Sequence, residues 1–167
     1  INQDGICRSF DDNGDGYARS EGIAVIFLQK ASMARRIYAQ IVHAKTNTDG
    51  YKETGIGVPS RQRQAQLLRE VYDEAGVDPT QVAYVEAHGI GAHEADAVEA
   101  NAICDAMCRS DRTGPLLIGS VKSNVGHTEP VGGLAAIAKV LTIIERGYIP
   151  PNLHYRIPNR NIPGLTD

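Results

Sequence analysis

The chain has 167 residues, of which 42% are hydrophobic and 22% charged, a composition that supports one modest core. Its net charge of −3 and the absence of a Lys/Arg stripe argue against a nucleic-acid partner, and no apolar run approaches the roughly 20 residues that a membrane span needs. Three irregularly spaced cysteines favour a reducing compartment, so the cytoplasm is the expected location.

The two ends of the chain suggest a segment of a longer protein. The chain begins at Ile1 without an initiator Met. Its last residues, 164–167, follow an irregular tail rather than a predicted helix or strand. We therefore expect one partial domain.

Short apolar runs predict strands at 23–28, 37–44, 82–87 and 116–121. The run at 23–28 is continuously apolar, which is typical of a strand buried on both faces. Between the second and third strands, residues 45–60 are rich in Gly and Thr and are predicted to form a long loop.

Helical spacing of apolar residues predicts helices at 61–75, 95–107 and 131–145. The resulting order, β-β-loop-α-β-α-β-α, predicts a layered α/β domain. The helix at 131–145 is apolar around most of its circumference, so we expect other layers to cover it on both sides. A mild basic cluster on the first helix, Arg61, Arg63 and Arg69, is predicted to be a solvated face.

Two histidines each follow a predicted strand and lie in a Gly-flanked turn. His88 follows the strand at 82–87 and His127 follows the strand at 116–121, with Lys122 shortly before it. In open α/β sheets, ligands bind at the carboxyl ends of the strands. Two imidazoles and a lysine in such turns suit a site that stabilises negative charge developing on oxygen. The glycines expected to permit tight turns and close approach of the backbone to a ligand are Gly89, Gly91 and Gly126.

These turns carry a family resemblance. Residues 86–92, Glu-Ala-His-Gly-Ile-Gly-Ala, are similar to the Glu-Ala-His-Gly-Thr-Gly-Thr motif of β-ketoacyl synthases. Residues 122–127, Lys-Ser-Asn-Val-Gly-His, match the second motif of that family, and residues 10–22 and 150–154 resemble other stretches of it. Within the family, the loop at 45–53 looks most like animal-type fatty acid synthases, although iterative polyketide synthases share much of it.

The resemblance implies a thiolase-like layered αβαβα fold, incomplete in this segment. Residues 1–167 would form a single partial ketosynthase domain. In that division, residues 1–60 are the end of the N-terminal half with the connecting loop, and residues 61–167 are most of the C-terminal half. The resemblance also implies a homodimer.

The implied activity is that of an acyltransferase, a β-ketoacyl-acyl carrier protein synthase. It performs a decarboxylative Claisen condensation between an acyl-cysteine thioester and malonyl carried on the phosphopantetheine of a partner acyl carrier protein; no cofactor or metal is expected in this domain itself. By resemblance, His88 and His127 donate hydrogen bonds to the enolate oxygen and Lys122 maintains the charge balance. The positions expected to line the substrate are Ile90, Ala92, Asn124 and Gly126.

The chain departs from the family pattern in two respects. Ile90 and Ala92 replace threonines whose hydroxyls contact the pantetheine arm, at a cost of roughly 0.5–1.5 kcal/mol for each lost hydrogen bond. We therefore expect an enzyme impaired about tenfold to a hundredfold, but not a dead one. In addition, the nucleophilic cysteine of the family lies in an upstream Ala-Cys-Ser-type elbow. None of the three cysteines here, Cys7, Cys104 and Cys108, matches it.

Other interpretations remain open at this point. The segment could belong to an iterative polyketide synthase, to a catalytically silent ketosynthase-like module for dimerisation or docking, or to a small free-standing thiolase-like protein.

Two patterns that resemble metal sites are set aside. Residues 11–16 imitate a calcium loop, but its twelfth position is Gly22. His93, Asp96 and Glu99 have helical spacing, but acidic first turns are common caps.

Overall fold

The computed structural model describes residues 1–165, so the last two residues of the predicted domain lie outside the described part. The strands in this part are β1 (Tyr84–Glu86) and β2 (Leu117–Gly119). The helices are α1 (Arg61–Ala75), α2 (His93–Met107), α3 (Lys122–Val125) and α4 (Gly132–Arg146). Short 3₁₀ turns occur at Ala31–Met33, Pro79–Gln81, Glu129–Val131 and Pro163–Leu165.

Helix α1 confirms the boundaries expected from its sequence. The Ser60 hydroxyl accepts a hydrogen bond from the Arg63 N–H at 3.2 Å and so caps the first turn. Gly76 ends the helix in the left-handed conformation, at a φ of 62°. The other two predicted long helices are confirmed to within two residues at each end. The short helix α3 was not predicted.

A parallel βαβ unit forms the centre of the described residues. Strands β1 and β2 pair in parallel, with Tyr84 opposite Leu117 and Glu86 opposite Gly119, and α2 is the crossover between them. Both strands lie within the segments predicted for them, although they are shorter. Because the strands are parallel, both carboxyl ends lie at the same edge of the sheet, where His88 and Lys122 follow.

Helix α2 supplies most of the buried core. Its small residues let neighbouring elements approach closely, and α1 packs along it. Arg61 donates two hydrogen bonds to the Asp105 carboxylate, at 2.6 and 2.7 Å, and Arg69 donates to the Asp105 carbonyl. Two of the three arginines that were predicted to form a solvated face, Arg61 and Arg69, therefore connect α1 to α2. The core residues are Phe10, Ala87, Ala97, Ala100, Ile103, Ala106, Met107 and Ile162.

The strands predicted at 23–28 and 37–44 are wrong for the described structure. Both segments lack strand pairing, and Ile23, Val25 and Phe27 are 96%, 89% and 84% exposed. A strand needs a neighbour for its N–H and C=O groups. No described strand forms backbone hydrogen bonds with either segment, and most of their apolar side chains are exposed.

The expectation that other layers cover helix α4 on both sides is also wrong for the described residues. Gly132 is the one residue of α4 that is fully buried, and Ile137 and Ile144 are 43% and 55% exposed. No described element lies over that face. No helix within residues 1–165 is long and apolar enough to cross a membrane.

The carboxylates that imitate a calcium loop instead hold the C-terminal tail. Asp11 accepts the backbone N–H groups of Arg156 and Ile157 at 2.6 and 2.8 Å, and Asp12 forms an ion pair with Arg160. The tail therefore returns to the N-terminal segment, next to the turn that precedes α2. No cluster of three or more residues arranged to bind a metal ion occurs within residues 1–165.

Candidate active site

The structure brings the two predicted histidines together. The ring centroids of His88 and His127 are 5.1 Å apart, with an angle of 84° between the planes. Segment 18–20 holds His127 in place: the His127 N–H donates to the Ala18 carbonyl at 2.8 Å, and the Ser20 N–H donates to the His127 carbonyl at 3.0 Å. Tyr17 packs edge-on against the same ring.

The hydrogen bond at one nitrogen of His127 indicates its tautomer. The Glu129 N–H donates to His127 Nδ1 at 3.1 Å, so this nitrogen is an acceptor. A neutral ring then carries its proton on Nε2 and can donate from there. The start of α4 closes behind the ring, because a Cβ at Gly132 would lie 3.3 Å from His127 Cε1. This placement agrees with the expected position of His127 before the helix.

Lys122 is buried at the first position of α3, with 3% of its surface exposed. It forms no ion pair with another residue in the described part of the chain. Burial lowers the pKa of its ammonium group, and the negative charges of Glu99 and Glu86 act in the opposite direction. Lys122 is therefore a positive charge in a poorly solvated place, beside both histidines.

Burial and the Lys122 charge together keep the imidazoles neutral. Partial burial, followed by the positive charges of Lys122 and His127, lowers the pKa of His88 to about 4. Burial and then Lys122 lower the pKa of His127 as well, against the opposing charge of Glu129. Both rings are therefore neutral hydrogen-bond donors near pH 7, and part of His88 is open to solvent, from which a substrate can approach.

Two carboxylates on α2, the buried Asp96 and the half-buried Glu99, hold the loop that carries His88. Glu99 accepts the N–H groups of His88 and Gly89 at 2.7 and 2.8 Å. Asp96 accepts those of Ile90 and Gly91, both at 3.0 Å, and that of Phe10 at 2.9 Å. These roles were not predicted. The available signal was the pair of acidic residues in the first two turns after a glycine loop.

The glycines of the site have the conformations that only glycine adopts easily. Gly89 has a φ of +37°, and a Cβ there would lie 2.8 Å from both Phe10 Cζ and Ser120 Cβ. Gly126 has a φ of +75°, and a Cβ there would lie 3.1 Å from the Ala18 carbonyl oxygen. The tight turns expected at these two positions are observed.

The positions predicted to line the substrate lie around this centre. Ala92 is the residue immediately before α2 and provides no side-chain cap for the helix. Ile90 is half-buried in the His88 loop, and Gly126 precedes His127. Asn124 is exposed on α3 and accepts a hydrogen bond from the Ser123 hydroxyl at 3.2 Å.

The cysteines have surroundings unsuited to a nucleophile. Burial raises the pKa of the Cys7 thiol, and its sulfur accepts the Ala18 N–H at 3.3 Å. Burial and a hydrogen bond with Cys104 raise the pKa of Cys108 to about 11. A reactive cysteine needs a lowered pKa, and neither of these two thiols has one.

Solved ketosynthase structures resemble this chain over nearly its whole length. Ketosynthase twelve of the bacillaene polyketide synthase of Bacillus amyloliquefaciens aligns with a TM-score of 0.92 and 35% identity, over 98% of this chain and 30% of that one. An oxazolomycin ketosynthase domain of Streptomyces albus aligns with a TM-score of 0.91 and 36% identity, over 98% of this chain and 29% of that one. The fold is therefore an α/β fold of the thiolase-like class, incomplete in this chain.

Family models make the assignment more specific. The model of the β-ketoacyl synthase C-terminal domain matches residues 38–156, and the model of the N-terminal domain matches residues 1–34. The chain belongs to the β-ketoacyl synthase family. The resemblance found in the two histidine motifs is confirmed.

Relatives come from both fatty acid and polyketide synthesis. The chain is 50% identical over 147 residues to a fatty acid synthase of the goose Anser anser anser, which covers 88% of this chain and 42% of that protein. It is 41% identical over 168 residues to a highly reducing polyketide synthase of Preussia isomera, which covers 98% of this chain and 7% of that protein. The chain thus spans less than half the length of either relative.

The carboxylates of α2 generate a prediction about the His88 loop. Replacing Glu99→Gln turns an amide NH₂ toward one of the two N–H groups that the carboxylate accepts. At about 1.5–3 kcal/mol for a charge-assisted hydrogen bond, we expect amide exchange in residues 88–91 to accelerate about tenfold to a hundredfold. Hydrogen–deuterium exchange of the peptide spanning the loop measures this. Glu94→Gln, an exposed position on the same helix, is the matched control, and equal exchange rates in the two variants would contradict the assigned role.

Proposed function

We propose that this chain supplies the oxyanion-stabilising side of a β-ketoacyl-acyl carrier protein synthase. The observation that carries the proposal is the pair of neutral imidazoles, 5.1 Å apart, with the buried Lys122 charge beside them. Preorganised neutral donors are well suited to stabilise charge that develops on oxygen. The proposed reaction is decarboxylative Claisen condensation in fatty acid synthesis.

In this mechanism malonyl enters as a thioester on the phosphopantetheine of acyl carrier protein. Its C–C bond to the carboxylate breaks, CO₂ leaves, and the electron pair forms an enolate. His127 donates from Nε2, because Nδ1 is engaged with the Glu129 N–H, and His88 donates to the same enolate oxygen. The enolate carbon then attacks the carbonyl of an acyl-cysteine thioester, a new C–C bond forms, and the cysteine thiolate leaves. The positive charge of Lys122 adds to the effect of burial in keeping both rings neutral.

The remaining parts of the proposal concern the complete protein. The nucleophilic cysteine is proposed to lie in a part of the protein other than this chain, since Cys7 and Cys108 have raised pKa values. The exposed apolar residues of α4 and of segment 23–28 fit a chain whose packing partners belong to the rest of the domain. We propose that the whole is a multidomain homodimer in the cytoplasm, with residues 1–60 and 61–167 divided between the two halves of the domain as expected from the sequence.

Two alternatives each have an observation behind them. The polyketide synthase relatives favour condensation in iterative polyketide assembly, which uses the same chemistry at the same residues. Ile90 and Ala92, which lack the hydroxyls of the family motif, favour a catalytically silent module kept for dimerisation or carrier docking. Decarboxylation of malonyl-acyl carrier protein distinguishes an active enzyme from the silent module.

Release of CO₂ from malonyl-acyl carrier protein by the complete protein tests the proposal. We expect release well above background, and His127→Ala is expected to lower the rate by about 10²–10³, because one oxyanion donor is lost. His93→Ala is the control, since His93 bonds Asp12 and lies outside the pair of rings. Release at background level by the unaltered protein would favour the silent module.

The two departures from the family motif generate a separate prediction. Ile90→Thr with Ala92→Thr is expected to raise the condensation rate about tenfold to a hundredfold, at roughly 0.5–1.5 kcal/mol for each restored hydroxyl contact. Ala92 precedes α2 without capping it, so Ala92→Thr alone is also expected to stabilise the protein by about 1 kcal/mol. Condensation rates and thermal denaturation separate the two effects. Unchanged rates in the double variant would show that these positions do not limit catalysis.

A further inference from the structure

A second cluster of buried charge lies behind the active site and has no part in the mechanism above. The side chains of Glu86 and Lys139 are 4% and 9% exposed, and Lys139 Nζ lies 2.7 Å from Glu86 Oε2. Tyr84 joins the pair: its hydroxyl accepts a hydrogen bond from Lys139 at 2.7 Å and donates one to Glu86 Oε2. The three residues come from β1 and α4.

The other oxygen of Glu86 reaches the loop that carries Lys122. Glu86 Oε1 accepts the N–H of Val121, the residue immediately before Lys122. Glu86 itself lies two residues before His88. One carboxylate therefore ties the backbone that leads to His88 to the backbone that leads to Lys122.

Neighbouring hydrogen bonds reinforce this tie. The Ser120 N–H donates to Asn152 Oδ1 at 3.0 Å, and the Ser120 hydroxyl donates to the His88 carbonyl at 3.1 Å. The Lys122 N–H in turn donates to the Ser120 hydroxyl at 3.3 Å. Three successive N–H groups at the start of α3, those of Ser120, Val121 and Lys122, are thus engaged by side chains, and Glu86 is the one charged acceptor among them.

Lys139 is the counter-ion of Glu86 in this place, with its Nζ 2.7 Å from Glu86 Oε2. A buried carboxylate without a counter-ion takes up a proton or forces the structure to open. Burial, followed by the hydrogen bond to Glu86 and then the charge of Glu86, raises the pKa of Tyr84 well above its ordinary value, so Tyr84 stays a neutral donor. Lys139 thus pairs with Glu86, while Lys122 lies beside the histidines.

We propose that Glu86 is a positioning residue of the ketosynthase site, which aligns Lys122 with His88 and His127 by accepting the hydrogen bond from the Val121 N–H, and that Lys139 is its counter-ion. This inference rests on the proposed function. It adds a residue that does not touch substrate and acts through the backbone of the Lys122 loop.

Two double variants of the complete protein separate the effect of the hydrogen bond between the Val121 N–H and Glu86 from the effect of the Glu86–Lys139 ion pair. Glu86→Gln/Lys139→Met and Glu86→Leu/Lys139→Met both remove the ion pair, and replacing a buried pair by neutral residues is often tolerated by the fold. Glutamine keeps an oxygen that can accept the Val121 N–H, whereas leucine does not. The measurement is kcat and KM for CO₂ release from malonyl-acyl carrier protein, per folded molecule, with circular dichroism giving the folded fraction.

We expect the glutamine variant to keep kcat within about threefold and the leucine variant to lose at least about tenfold, because it loses a buried hydrogen bond, with KM unchanged in both. Arg61→Met, which breaks an exposed pair between α1 and α2, is the control and should leave kcat unchanged. Equal kcat in the two double variants, whether both are high or both low, overturns the inference. Should the leucine variant not fold, Glu86→Gln/Lys139→Met is compared with the unaltered protein, and a tenfold loss of kcat there overturns the inference as well. An unaltered protein without CO₂ release instead refutes the proposed function.

Discussion

The organisation of the candidate site depends on two carboxylates that bind a glycine loop. Residues 88–91 leave β1 in a conformation that cannot form sheet or helix hydrogen bonds, yet their N–H groups are turned into the protein, where each needs an acceptor. Asp96 and Glu99 supply the acceptors, and Asp96 also binds the N–H of Phe10. Burial raises the pKa of Asp96 to about 6 in spite of these hydrogen bonds, so it is still mainly a carboxylate near neutral pH. Asp96 therefore anchors both Phe10 in the core and the loop that carries His88.

The candidate site combines a positive charge with two neutral hydrogen-bond donors. Lys122 lies beside two imidazoles whose pKa values are lowered first by burial and then by its positive charge, so both rings are neutral near pH 7. Cys7 is buried and engaged with the backbone of Ala18, whereas Cys108 is exposed at the end of α2 and has a raised pKa. The chain therefore carries hydrogen-bond donors for a developing oxyanion. On our account the nucleophile comes from elsewhere in the complete protein.

Local features of the sequence predicted the parts that depend on local structure. Helical periodicity and the glycine at position 76 predicted α1, and the Gly-flanked motifs predicted that His88 and His127 would meet. Features that depend on distant residues could not be predicted in this way. Segment 23–28 has the composition of a buried strand but lacks a pairing partner among the described residues. Helix α3 is too short to show a period. The role of Asp96 depends on a fold that brings Phe10 to it across 86 positions of the chain.

The location of the acyl group on the complete protein tests the central claim most directly. The protein would be incubated with an acyl thioester donor, digested, and analysed by mass spectrometry for the cysteine that carries the acyl group. The account predicts a single acylated cysteine in an Ala-Cys-Ser-type peptide that is absent from this chain, and none at Cys7, Cys104 or Cys108. An acyl group on any of these three cysteines would contradict the division between a charge-stabilising side here and a nucleophile elsewhere.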